Sequence, residues 1–294
     1  MKKGLILTNH YLKSDDIIYK VNRLKEEFEK FDIVIEHQTA TFLVGLINNG
    51  NTQLNKQYDF ILYLDKDKYL SRLIEKSGIR IFNNSQAMEI CDDKMLTHLA
   101  LANHNIKMPK TLSAPLCFKK QAIDETLLKH IEQELTYPLI IKNCHGSGGQ
   151  HVNLINNYKE LKTKAQELIS IPHIYQEYIP SSFGKDIRLV LINHKVVASM
   201  LRYSDNDFRS NLQTGGHSKN IPISPSYIEV AEKCSKIIGL DNCGIDLLLG
   251  ENNEPILCEV NSNAFFTGIE KTTDINICNL YVQYIINEIY QKEK

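Results

Sequence analysis

The sequence predicts an α/β protein that begins with a small parallel layer, and three observations predict it. Residues 1–92 alternate short β-rich runs with segments of helical spacing. The connections between them are short. The later runs are longer, of strand character, and broken by a glycine-rich turn. At 294 residues, 43% hydrophobic and 23% charged, the chain can bury one large core or a few small ones. Its 34 basic and 35 acidic residues give a formal charge of -1. Nothing draws it globally to nucleic acid or to an anionic membrane, so any anion site must be local. The seven cysteines include no C-x-x-C pair and several lie in apolar runs. That predicts reduced, buried thiols and a cytoplasmic compartment rather than disulfides or zinc. The apolar run after Lys2 and Lys3 is too short for a signal peptide, and no run approaches the ~20 residues of a membrane span.

In order along the chain, GLILTN, FDIVIEH, DFILYLDK and IRIF read as strands, and Ile17, Val21, Leu24, Phe28 and Phe31 recur at helical spacing between the first two. No G-x-G-x-x-G follows the first strand, so a Rossmann dinucleotide site is unsupported. Asp65 and Lys66 end the third strand, where open α/β sheets meet ligands; solvated strand-end charges are the equal alternative. SQAMEICDDKMLTHLALANHN, from residue 85, reads as one helix with Ser85 as its cap, leading through Met108-Pro109 into a second unit.

That second unit carries phosphate chemistry. Lys142 lies in the strand YPLIIKN, and HGSGGQHV then turns into another strand. Gly146, Gly148 and Gly149 let backbone N–H groups approach an anion, although a ligand-free glycine hairpin has the same pattern. Glu177 and Tyr178 end a strand in an apolar setting that suits an adenine edge. The pair Lys185-Asp186 opens the next strand, where it can meet a ribose or simply close a turn. DNDFRSNLQTGGHSKN is too polar for a core, yet gathers Arg209, Asn211 and two glycines in one loop of the kind that closes over transferring phosphate. Asp246 in CGIDLLLG, then Glu259 and Asn261 in PILCEVNSN, are hard oxygen donors on short apolar strands, suited to magnesium or to a neighbouring arginine.

The order D-D-K, P-L-I-I-K with its glycine hairpin, Q-E-Y-I, K-D-I-R, D-F-R-S-N with G-G, G-I-D and E-V-N resembles the ATP-grasp carboxylate–amine ligases. Within them it is most similar to the RimK-like group, which includes the ribosomal-protein glutamate ligase and the α-L-glutamate and amino-group-carrier ligases. The resemblance covers residues 85–294 and implies an α/β (α+β) ATP-grasp fold behind a pre-ATP-grasp parallel α/β domain. The implied boundaries are 1–92, 93–185 for the central lid, and 186–294 for the magnesium-bearing unit. It assigns Lys94 and Lys142 to ATP phosphates, Glu177 and Tyr178 to the adenine hinge, and Asp186 to the ribose. Arg209, Ser210 and Asn211 fall beside ATP and the reacting phosphoryl group, and Asp246, Glu259 and Asn261 match the magnesium ligands, with Mn2+ able to substitute for Mg2+. Arg202 is the candidate for the substrate carboxylate or the acyl-phosphate, because a planar guanidinium matches either group bidentately.

The implied reaction is ATP-dependent ligation through an acyl-phosphate, adding an amino acid such as glutamate to an amine-bearing protein, peptide, carrier or metabolite. Homo-oligomers are common in the family. Besides an ATP-grasp ligase of a biosynthetic pathway with a non-glutamate substrate, the alternatives are a non-catalytic ATP-binding module of the same fold and a nucleic-acid-binding protein. The first would lose loop or metal groups that this chain keeps. The second would need a basic face, whereas KSDDIIYKVNRLKEEFEK and NYKELKTKAQELIS read as mixed-charge solvated helices. One departure follows E-V-N: the RimK-like pattern commonly continues with a small residue, Ser and Pro, whereas this chain reads EVNSNAFFTGIE, with Asn263-Ala264 and then Phe265 and Phe266 in that loop. Both rings then either wall the acceptor pocket or pack under the C-terminal helix.

Overall fold

The computed structural model describes residues 1–12 and 14–291. β1 (Lys2–Thr8), α1 (Asp15–Phe28) and β2 (Ile33–Thr39) open the chain. A hairpin of β3 (Gly45–Asn48) and β4 (Asn51–Leu54) follows, then β5 (Phe60–Leu64), α2 (Lys68–Lys76) and β6 (Arg80–Phe82). The four-stranded sheet, in the order β2-β1-β5-β6, is parallel throughout. β5 is buried along its whole length because Phe60, Leu62 and Leu64 join the cluster under α1, while Ile61 and Tyr63 join that under α2. The hairpin escaped the sequence reading. Its signal is Asn49-Gly50, whose φ values of 49° and 80° suit a two-residue turn of primed type.

The structure corrects two local expectations. α1 buries Ile17, Val21, Leu24 and Phe28 as their spacing predicts, but it also buries Lys20 and Glu27, each 1% exposed, so its charges are not all solvated. The single helix expected from residue 85 is two, α3 (Ser85–Asp92) and α4 (Lys94–Leu101). Asn84, not Ser85, caps the first by accepting from Ala87 N, and Asp93 interrupts the run by accepting from Met95 N and Leu96 N.

β7 (Thr111–Ser113), α5 (Glu125–Glu134), β8 (Leu139–Asn143), β9 (Val152–Ile155), α6 (Tyr158–Glu167) and β10 (His173–Glu177) follow. Their antiparallel sheet has the order β7-β10-β8-β9 and packs Leu139, Ile141 and Tyr175 against Leu128, Ile131 and Leu161. Then come β11 (Lys185–Ile192), β12 (Lys195–Tyr203), β13 (His217–Lys219), α7 (Pro225–Ile238), β14 (Asn242–Leu249) and β15 (Pro255–Asn261), closed by α8 (Thr267–Thr273) and α9 (Ile277–Gln291). The five strands run β13-β12-β11-β14-β15, all antiparallel.

Period two divides this sheet. Ile187, Leu189, Leu191, Ile245 and Leu247 face the cluster that includes Tyr227, Ala231 and Cys234 of α7. On the other face Val190, Ile192, Ala198 and Met200 lie under Phe266 and α9, and the same face becomes polar toward Asp186, Arg188 and Arg202. All seven cysteines are free and five are buried. No helix among the described residues is long and apolar enough to cross a membrane.

Candidate active site

Asp246 pairs directly with Glu259 across β14 and β15, and with Arg188 across β14 and β11. Strict alternation would put Leu257 and Glu259 on one face, but the register shifts between Asp246 and Leu247. The extra residue turns Leu257 into the core while Cys258 and Glu259 both line the cleft between the two antiparallel sheets. That cleft encloses about 930 Å³ counted to its open mouth. It gathers Lys94, Lys142, Glu177, Tyr178, Asp186, Arg202, Arg209, Ser210, Asn211, Asp246 and Glu259, residues spread over the whole sequence reading. Asn261 lies outside it, on the wall of a larger adjoining cavity that shares Ser147, Arg202, Asn211 and Glu259.

Charges in the cleft are arranged in pairs. Arg202, 5% exposed, holds Asp186 through two nitrogens and reaches Asp246 Oδ2 at 3.0 Å, while Arg188 Nη2 donates to the same oxygen at 2.7 Å. Burial alone would raise the Asp246 carboxyl, but the Arg188 and Arg202 guanidiniums outweigh it and keep the pKa below the ordinary value. Lys94 Nζ lies 3.4 Å from Glu259 and donates to Gly146 O at 2.9 Å, joining α4, β15 and the glycine hairpin. The Lys142 ammonium, 8% exposed, has no hydrogen bond or ion pair among the described residues and lines the cleft.

The hairpin and the 205–220 loop meet closely. Arg209 pairs with Asp207 at 2.7 Å and donates to Gly149 O at 2.8 Å. Gly149 has φ 73°, and a Cβ there would come 2.8 Å from Asn211 Oδ1, so neither its backbone nor its space admits a side chain. At the other end, Glu177 accepts from Lys110 N at 3.0 Å and Tyr178 meets Phe208 edge-on at 6.5 Å.

Asp246, Glu259 and Asn261 offer two carboxylates and an amide on one face. Asn261 Nδ2 is buried without a hydrogen-bond partner, and it is the amide oxygen of this side chain that a cation would take. The set fits a hard cation with oxygen ligands, although no cluster of three His, Cys, Asp or Glu among the described residues does so without the amide. Asp65 and Lys66 lie in the adjoining cavity, where Asp65 accepts from Asn9 at 3.0 and 3.2 Å and Lys66 pairs with Asp92 at 2.7 Å. The aromatic pair divides: Phe266 is fully buried against Tyr281, and Phe265 lines that cavity.

Two lining residues were missed in the sequence. Arg188 stands two positions after Asp186 in K-D-I-R, so period two would have found it. Gln176, 2% exposed, donates to Thr111 Oγ1 at 2.9 Å and lines the cleft, but in QEYI it reads as an ordinary strand residue.

A family model described as the RimK-like ATP-grasp domain matches residues 91–285. Human N-acetylaspartylglutamate synthase A is 30% identical over 282 residues, 90% of this chain and 70% of that protein. The D-alanine–D-alanine ligase of Bacillus anthracis, solved with ATP, superposes with a TM-score of 0.73 at 16% identity, covering 99% of this chain and 98% of that one. The ATP-grasp ligase PsnB, solved with a precursor variant, Mg and ADP, gives 0.70 at 14% identity, covering 98% and 99%. These two share the fold, and the bound nucleotides and metal are theirs.

Proposed function

The chain belongs to the RimK-like ATP-grasp family, and on that premise we propose that it is an ATP-dependent carboxylate–amine ligase that joins an acid to glutamate or a related amino acid. The observation that carries this reading is the cross-strand pair Asp246 and Glu259, facing a cleft that also holds Lys94, Lys142 and Arg209. ATP would lie with its adenine by Glu177 and Tyr178, beside Gln176 and Leu248, its ribose by Asp186, and its phosphates toward Lys94, Lys142 and the glycine hairpin. Asp246, Glu259 and Asn261 would hold Mg2+, or Mn2+ in its place, which when bound neutralises phosphate charge.

The protein's own task is positioning and exclusion of water. A substrate carboxylate oxygen attacks the γ-phosphorus and ADP leaves; the amine then attacks the acyl carbon, phosphate leaves and the nitrogen loses a proton. Arg209, held by Asp207 and Gly149, is placed to meet charge on the phosphoryl group and, with Ser210 and Asn211, to close the loop over it. Arg202 and Arg188 are the candidates to meet the acid. Arg188 has 15% of its side chain exposed against 6% for Arg202, and it lines the adjoining cavity rather than the nucleotide cleft. We assign that cavity to the substrates, the three units to residues 1–92, 93–185 and 186–294, and the compartment to the cytoplasm. The test is ADP release from MgATP with L-glutamate and a pool of carboxylic acids that includes N-acetyl-L-aspartate. Release should require both an acid and an amine; release indifferent to every addition removes the reading.

A further inference from the structure

Lys20 is buried on the inner face of α1 and lines neither cavity. Its ammonium donates to Asn263 Oδ1 and to the Ala264 carbonyl, each at 2.9 Å, and lies 4.3 Å from the centre of the Phe266 ring. Burial pushes its pKa down to about 8. Removing an ammonium from water costs several kcal/mol, and an apolar side chain of similar length would fill the same space more cheaply. A charge kept there is better explained by what it orients than by the stability it adds.

What it orients is the segment between β15 and α8. Ser262 O accepts from Asn83 Nδ2 at 2.7 Å, and Ala264 lies so close to Gly244 that a Cβ there would stand 2.9 Å from its methyl. Asn83 and Lys20 belong to the N-terminal unit, so two of the three fixed points of this segment come from outside the ATP-grasp sheets. Thus anchored, the segment and its flanks place Asn261, Asn263, Phe265 and Thr267 on the wall of the adjoining cavity. Two of these carry buried polar atoms without a hydrogen-bond partner, Asn261 Nδ2 and Thr267 Oγ1.

We propose that Lys20 is a positioning residue for the substrate cavity. It fixes residues 262–266 so that the side chains of Asn263, Phe265 and Thr267, on the cavity wall, meet a substrate with both polar and apolar parts. The assignment of the cavity to substrate rests on the ligase reading above. By this device the N-terminal layer sets substrate affinity without setting nucleotide affinity.

Lys20→Met keeps the chain length and removes the ammonium. Hydrogen exchange of the 262–267 amides should quicken about tenfold or more, while MgADP affinity by calorimetry stays within about twofold of wild type. On the acid and amine pair that supports turnover, KM should rise about tenfold with a smaller change in kcat. Asn263→Ala removes one acceptor but leaves the Ala264 contact, so it tests the same clip should Lys20→Met not fold. It should move exchange and KM the same way by less, and the double variant should add little to Lys20→Met. A wrong ligase reading is visible separately, as wild-type protein that binds MgADP yet turns over no pair; exchange then decides on Lys20 by itself. Unchanged exchange, an unchanged KM, or MgADP affinity lost in parallel with substrate affinity overturns the proposal.

Discussion

Glu259 and Asp246 face each other across two strands, yet their substitutions should differ in kind. Glu259 is part-exposed with one cation beside it at 3.4 Å. Glu259→Gln should lower kcat by about a hundredfold or more at nearly unchanged melting temperature, read by ADP release beside a thermal melt. Asp246 pairs with two arginines, the buried Arg202 and the part-buried Arg188. Asp246→Asn should therefore cost stability as well, on the order of 3 kcal/mol, because Arg188 loses its carboxylate partner and the buried Arg202 keeps only Asp186. The neighbouring phenylalanines divide similarly. Phe266→Ala should cost about 3–5 kcal/mol as core, whereas Phe265→Ala should raise a substrate KM with little change in melting. A Phe265→Ala variant that melts as low as Phe266→Ala with wild-type KM would place both rings in the core.

Strands and turns were the legible scale. Short apolar runs in KDIRLVLI, CGIDLLLG and PILCEVN gave the strands, and the acid within each run marked Asp186, Asp246 and Glu259. The register shift beside Asp246 was not legible, since pairing with a partner strand creates it and no local pattern marks it. Nor was the burial of Lys20, which depends on a loop 243 residues away. The glycine hairpin was legible as a turn, but its packing on the 205–220 loop was not. Gly149→Ala should push the hairpin off Asn211 and strain a backbone at positive φ. ATP affinity should fall about tenfold while the fold persists; calorimetry measures it, and unchanged affinity would detach the hairpin from the phosphates.

At the scale of the whole molecule, the N-terminal layer is tied to the C-terminal helices through the buried carboxylate of Glu27. Glu27 accepts from Lys30, Asn276 and Asn279, at 2.5, 2.9 and 2.7 Å. Burial alone would raise its carboxyl, but these donors bring it down from 4.5 to about 2. The folded form thus holds its proton less tightly than the unfolded chain. The stabilisation is complete above the unfolded value and is lost as pH falls from about 4.5 toward 2. Denaturant midpoints across that window should drop in wild type and be flatter in Glu27→Gln; parallel curves would remove Glu27 from the acid response. The central claim, that these units converge on amide ligation at Asp246 and Glu259, is tested most directly by product mass. Protein, MgATP, L-glutamate and a carboxylic acid pool should yield a compound equal to acid plus glutamate less one water, one ADP per product, and neither with Glu259→Gln. ADP formed without any such compound, or the compound formed equally well by Glu259→Gln, would contradict it.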